Sequence, residues 1–353
     1  MPAYIHAIGT AVPAYQISQN QSLAFMQRAL HLSDLDFRKI RALYRLGRIQ
    51  KRYSVLEDYV TEADFAFYPN KQDQDFPSTS QRMAVYEKEA LPLALKAVAA
   101  LQMPVSDVTH LITFSCTGMY APGLDIDILE NLGLSSHTHR ICINFMGCYA
   151  AFNALKTATA FCEMGAKVLL VGVELCTLHL QKSLLEDHLV SAALFADGAA
   201  AVLLSGQKQR NSLEIKDFYC QLIGQGKKDM AWRIADSGFD MRLSSYIPTL
   251  LENNMDVFVK NFSEKTHFSH IDHWAIHAGG RKILEASQKA LGLSLEDLAF
   301  SHQVLENYGN MSSVTVLFVL QKLWENGLES GQKIVGMAFG PGLTVESALL
   351  ESV

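Results

Sequence analysis

The sequence predicts an α/β protein, with sheets covered by helices, arranged as two similar halves. Three observations carry that expectation. Apolar runs of strand length alternate with segments of helical periodicity along most of the 353 residues, the pattern of an α/β fold. Chemically similar strand-end segments recur in the second half of the chain. The composition, 49% hydrophobic and 19% charged, is that of a globular protein long enough for about two domains.

In chain order, residues 3–8 read as a buried strand. Residues 57–80, rich in Asp, Gln and aromatics, read as a surface excursion. Residues 81–101 read as a helix that Pro92 kinks or restarts, because proline brings no backbone N–H. Residues 110–115, 141–145, 167–173 and 199–205 are short apolar runs and read as buried strands, with a helix over 149–162. Beyond residue 205 the alternation resumes. Strands are predicted at 213–223, 273–276, 333–338 and 343–350, and helices at 247–262, 280–291 and 310–326.

The repeat is in the strand ends. The segments ending at Gly118 and Gly279 are each a strand, a reactive or polar side chain (Cys116, His277), a small residue and a glycine. Met146-Gly147-Cys148 and Tyr308-Gly309-Asn310 each set a glycine and a polar residue before an apolar helix. Cys116 precedes Cys148 by 32 residues and His277 precedes Asn310 by 33. Phe195-Ala-Asp-Gly198 and Phe339-Gly-Pro-Gly342 each lead into a strand. Two halves, 1–205 and 206–353, would bring such ends to a shared centre, where sites form in open α/β sheets.

Composition narrows the function. Thirty Lys and Arg against 36 Asp and Glu give a net charge of −6, unlike a protein built to neutralise phosphate backbones, so no nucleic-acid partner is expected. No apolar run reaches the roughly 18 residues of a membrane span. The N-terminus lacks the basic and apolar regions of a signal peptide. The six cysteines form no CxxC pair and read as reduced thiols, with no metal site. A soluble cytoplasmic protein is expected.

Three residues could carry chemistry. Cys148 follows a strand and a glycine and opens a helix, whose N-terminus favours thiolate; it is equally readable as a small buried core residue. His277 ends an apolar strand beside two glycines, and is otherwise a hydrogen-bonded core histidine. Asn310 could be no more than a helix N-cap. Cys, His and Asn in this order also occur in papain-like proteases, but the C-G-[SA]-C-[WY] signature is absent around Cys148. The trio suits decarboxylative Claisen condensation better. A thiolate accepts an acyl group from a thioester, while a neutral imidazole and an amide donate to the oxygen that becomes an enolate as carbon dioxide leaves. That chemistry needs no metal or redox cofactor.

The motifs resemble those of the type III polyketide synthases, the chalcone-synthase-like family of the thiolase fold, in the bacterial manner. The matching segments are Gly147-Cys148-Tyr149-Ala150, Ala193 to Ala200, Ile276-His277-Ala-Gly-Gly280, Tyr308-Gly-Asn310-Met-Ser-Ser313 and Phe339 to Glu346. Ile8 to Pro13 and Ala121-Pro-Gly123 also fit. The resemblance implies a five-layer αβαβα thiolase fold. It implies Cys148 as acyl-accepting nucleophile, with His277 and Asn310 binding and decarboxylating malonyl-CoA. Phe195 would be a gatekeeper, and Gly340-Pro341-Gly342 a loop scaffolding the cavity. It further implies a homodimer that uses acyl-CoA and malonyl-CoA directly.

Several positions depart from the plant pattern. Met241 stands at the second gatekeeper, His179 at a cavity threonine, Ser191 near a glycine, Ala121 at a methionine that reaches the partner's cavity, and Cys116 at a small hydroxyl residue. Thr117 and Ser312 complete the expected cavity wall. For the coenzyme A phosphates, the basic run Arg38-Lys39, Arg41, Arg45, Arg48, Lys51 and Arg52 is one candidate, with Lys39 and Arg45 foremost. Arg281-Lys282 is the other. The expected product is a pyrone or a resorcinol-type phenol from an acyl-CoA starter, a fatty acyl-CoA first. Starter, extension number, cyclisation mode and delivery by a carrier protein are left open. The alternative is a single condensation like that of ketoacyl-acyl-carrier-protein synthase III, although His277-Ala278-Gly279-Gly280 departs from the His-Gln-Ala-Asn type segment of those enzymes.

Overall fold

The computed structural model describes residues 2–267 and 270–353. The first half begins with β1 (Ala3–Ala11) and β2 (Tyr15–Ser18), followed by α1 (Gln19–Ala29), α2 (Asp34–Gly47) and β3 (Lys51–Ser54), which pairs with β2. After α3 (Thr79–Ala99) come β4 (His110–Ser115), α4 (Leu124–Asn131), β5 (His139–Asn144), α5 (Ala150–Glu163) and β6 (Lys167–Leu175). The half closes with α6 (Glu186–Leu194) and β7 (Asp197–Ser205). The second half starts on β8 (Leu213–Leu222), the hairpin β9 (Met230–Ala235) and β10 (Gly238–Leu243), then α7 (Ile247–Thr266) and β11 (His273–Ile276). It ends with α8 (Arg281–Leu291), α9 (Ala299–Tyr308), α10 (Thr315–Glu325), β12 (Lys333–Gly340) and β13 (Thr344–Ser352).

Among the described residues nine strands hydrogen-bond in the order β11-β12-β13-β8-β1-β7-β6-β4-β5. Outward from the centre, β1-β7-β6-β4 on one side matches β8-β13-β12-β11 on the other. Each half lays its first strand at the centre, its last beside it, and earlier strands further out. β5 has no counterpart, and β1 and β8 join the halves through three antiparallel residue pairs from Ala3↔Ile215 to Ile5↔Leu213.

Five layers result. α3 covers β1, β6 and β7; α5 and α10 lie between the halves, touching strands of both; α7 and α8 cover the far side of the second half. The inner strands separate two cores by strict alternation. On β7, Ala199, Ala201 and Leu203 enter the outer core under α3, while Ala200, Val202 and Leu204 enter the central core around α5 and α10. A strand buried on both faces reads as an unbroken apolar run, which is why it is legible in the sequence.

Three expectations change. α3 runs unbroken through Pro92, because the ring sits on the exposed face, where the carbonyl freed by the missing N–H can bond water. The stretch 57–80 is irregular but not a surface excursion. Phe65, Tyr68 and Phe76 are buried in the outer core, and the Asp58 carboxylate accepts the backbone N–H groups of Ala66, Phe67 and Tyr68 at 2.6 to 3.2 Å. The helix expected from residue 310 begins at Thr315, leaving Asn310 in extended backbone bridged to Phe195.

Candidate active site

The strand ends converge on one cavity of about 440 Å³, within the range of small-molecule sites. Cys148, His277 and Asn310 all border it. Cys148 sits two residues before α5 on a sharp turn. Gly147 makes the turn possible: its φ is +84°, and a Cβ there would lie 2.1 Å from Pro341 Cδ, so no other residue fits. The Gly147 N–H donates to Cys116 Sγ at 2.9 Å, and the Cys116 thiol donates back to the Gly147 carbonyl at 3.3 Å. Cys116 thus braces the turn that presents Cys148.

The Cys148 thiol donates to Ser312 Oγ at 3.8 Å. Burial pushes it up to about 12, against a lesser lowering by Ser312, and the nearby Glu174 carboxylate adds to the rise. The helix N-terminus was expected to draw it toward thiolate. Desolvation of the charged form outweighs that.

His277 follows β11 and is held by its backbone N–H on the Met337 carbonyl at 2.8 Å. Burial lowers its ring to about 3, so the imidazole is neutral. Its Nδ1 is buried without a partner. An orphaned lone pair is cheaper than an orphaned N–H, so the proton belongs on Nε2, the nitrogen left for the cavity. Asn310 is oriented from both ends. Its Oδ1 accepts the Ser312 backbone N–H at 2.8 Å, and Nδ2 donates to the Gly279 carbonyl at 3.1 Å. An amide nitrogen has two hydrogens, so one N–H remains free. The site therefore offers a thiol and two neutral donors.

The other expected residues divide. Phe195, Ser191, Met241 and Ser312 line the cavity, as do Thr117 and Pro341. Gly340 and Gly342 do not border it; Gly340 lies behind, against the Tyr149 ring. His179 borders the cavity but its ring is fully committed. Nδ1 accepts the Phe239 N–H at 3.0 Å, Nε2–H donates to the Thr117 carbonyl at 2.7 Å, and the ring stacks on Phe239 at 4.3 Å. Of the basic candidates, Arg281 and Lys282 line the mouth. Lys39 and Arg45 do not: they are exposed on α2, whose Leu43, Leu46 and Gly47 face the cavity instead.

Arg52 leaves the basic cluster altogether. It is buried, and its guanidinium donates to the Ala192 and Phe195 carbonyls, both at 2.7 Å, and to Ser22 Oγ. Its stem fills the space beside Gly309, which has φ +70° and where a Cβ would come within 3.0 Å of Arg52 Cγ. β3 alternates, and that period sends Arg52 and Ser54 inward; the alternation was the signal that could have found it. Glu174 was also missed. Its buried carboxylate accepts from Thr117 Oγ1 at 2.7 Å, from the Cys116 N–H at 3.0 Å and from Ser313 Oγ. It ties β6 of one half to the turn after Asn310 in the other, near Cys148.

Comparison with known proteins agrees with this geometry. The family described as chalcone and stilbene synthases matches with its N-terminal domain over residues 1–208 and its C-terminal domain over 214–353. The chain belongs to the chalcone and stilbene synthase family. It is similar to a Mycobacterium tuberculosis protein named alpha-pyrone synthesis polyketide synthase-like Pks18, at 32% identity over 99% of this chain and 91% of the relative. It is also similar to type III polyketide synthase C of Arabidopsis thaliana, at 28% identity over 99% of this chain and 95% of the relative. Among solved structures, PKS-I from the brown alga Ectocarpus siliculosus superposes with a TM-score of 0.92 at 29% identity, covering 100% of this chain and 98% of that one. The chain is thus a type III polyketide synthase of thiolase fold, an acyltransferase whose family works on acyl-CoA and malonyl-CoA. These relatives lend no support to the synthase III alternative.

Proposed function

We propose that Cys148 carries the growing chain and that His277 and Asn310 work on malonyl-CoA, making an alkylpyrone or resorcinol-type product from an acyl-CoA starter without a metal or redox cofactor. The observation that supports this most is the free N–H of Asn310 beside the neutral His277 in the cavity that Cys148 borders.

In loading, Cys148 Sγ bonds to the starter carbonyl carbon, the bond to the coenzyme A sulfur breaks, and the thiol proton leaves with coenzyme A. In decarboxylation, the bond to the malonyl carboxylate breaks and its electron pair passes into the thioester, forming an enolate. His277 Nε2–H and Asn310 Nδ2–H donate to the enolate oxygen; preorganised donors of this kind are worth about 3 kcal/mol each. The enolate carbon then bonds to the acyl carbon as its bond to Cys148 breaks, and the released thiolate takes a proton from water. Return of the lengthened acyl group to Cys148 permits another round.

Phe195 and Met241, which both line the cavity, are assigned to its gate, and Arg281 and Lys282 to the coenzyme A phosphates. The pyrone reading draws on the name of the Mycobacterium tuberculosis relative. A homodimer is proposed on the free edge of β5, and a cytoplasmic location goes with the finding that, among the described residues, no helix is long and apolar enough to cross a membrane.

Mass spectrometry of products from malonyl-CoA and acetyl- to palmitoyl-CoA tests this reading. Pyrones or resorcinols lengthened by two or more malonyl units are expected. Cys148→Ala should abolish them while leaving some malonyl-CoA decarboxylation. Normal chain extension by that variant would remove Cys148 from the role.

A further inference from the structure

α6 forms a wall of the cavity through Val190, Ser191 and Leu194 and leads directly into Phe195. Of its nine residues only Ala193 is buried; Leu189 and Ala192 pack partly exposed against the outer core and Leu194 against the central one, so apolar burial holds it only in part. Polar links add to that packing, one at each end. At its C-terminal end Arg52 grips the Ala192 and Phe195 carbonyls, joined by Tyr44 Oη on Ala192 O at 3.3 Å. At its N-terminal end His188 Nε2–H donates to Asp240 Oδ1 at 2.6 Å. Asp240 lies on β10 next to Met241, which also lines the cavity.

The His188 contact is specific. Its side chain is 13% exposed and, among the described residues, its Nδ1 is buried with no partner and Asp240 is the imidazole's one hydrogen-bond partner. The other Asp240 oxygen lies 4.0 Å from the exposed Arg242 guanidinium, too far and too wet to compete. β10 is itself anchored: Phe239 stacks on His179, and Trp232 of the paired strand donates to the Cys116 carbonyl at 2.7 Å. β10 is therefore held by contacts other than α6 and can serve as its fixed support.

We propose that the His188–Asp240 hydrogen bond is a clamp that holds α6 against β10, sets the opening between Phe195 and Met241, and so limits the length of the starter acyl chain. His188 and Asp240 are positioning residues; neither is assigned contact with reacting atoms. The second half of this inference rests on the activity proposed above, while the first does not.

Two measurements on the full-length protein test it. Hydrogen exchange of the backbone amides of 186–194 reads the clamp without any activity. His188→Ala and Asp240→Ala should each speed it at least tenfold, and the double variant should add little, because the two residues act as a unit. Starter preference reads the consequence. The ratio of kcat/KM for palmitoyl-CoA to that for hexanoyl-CoA should rise at least fivefold in both variants and less in Asp240→Asn, which keeps an acceptor. A general loss of folded protein would lower both starters alike and leave the ratio unchanged. Unchanged exchange, or an unchanged ratio, overturns the proposal. If the unmodified protein lengthens no acyl-CoA, the proposed function falls, and the exchange measurement still decides the clamp.

Discussion

Cys148 meets two opposed influences, a helix end that favours its anion and a buried pocket that opposes it, and burial prevails at about 12. The free enzyme therefore holds a thiol. Its alkylation by iodoacetamide should accelerate about tenfold per pH unit from 7 to 9, following the small thiolate fraction. A rate already level below pH 8 would mean a preformed thiolate. His277 and His179 are both lowered to about 3 by burial. A depressed folded value gives stability that is fully present above the ordinary 6.5 and is lost as pH falls toward 3. At pH 5 each histidine should have given up about 2 kcal/mol. Asp197 works the other way, since burial raises it to about 6; its share is full below 3.8 and fades as pH rises through 6. Two histidines outweigh one aspartate, so the urea midpoint should be lower at pH 5 than at pH 7. Equal midpoints would contradict neutral buried imidazoles.

At the scale of elements, α6 is held where it counts by a guanidinium. Arg52→Met would fill some of the space but leave the Ala192 and Phe195 carbonyls without their donor. The expected cost is about 3 kcal/mol, read from urea unfolding. Arg52→Lys should recover only part of it, because an ammonium cannot reproduce the planar fork. A loss within about 0.5 kcal/mol would show that α6 does not depend on this contact. The same element shows what the sequence conceals. β6 and β7 were legible because cores on both faces make residues 168–173 and 199–204 unbroken apolar runs. α6 was not, because much of its surface borders the cavity or water and only Leu189, Ala192 and Ala193 meet the outer core, too short an apolar stripe to mark a helix. The β9–β10 hairpin hides likewise: Trp232 and Met241 face a cavity while Arg233 and Arg242 face solvent, over runs of only six residues. The trio Cys148, His277 and Asn310 stood out because each sits between a glycine-bearing turn and a regular element. Arg52 had only the alternation of a four-residue strand to mark it, and Glu174 had nothing local, since a buried carboxylate looks like an exposed one until its neighbours in space are known.

At the scale of the molecule, β5 ends the sheet with its outer edge free among the described residues. Ile141 and Ile143 alternate with exposed Arg140, Cys142 and Asn144, and Met146 beyond the strand is 37% exposed. An unprotected edge invites pairing with a second copy. Sedimentation should find a dimer, and Ile143→Lys should shift it to monomer. A monomer in the unmodified protein would refute the dimer. One contact across the halves reaches further. Gly147 packs against Pro341, and Glu174 bonds the turn after Asn310. During synthesis the cysteine emerges long before the proline that completes its turn. Every nascent fragment short of the last hairpin thus carries Cys148 without its setting, and the turn that presents its thiol is finished only when nearly the whole chain has left the ribosome.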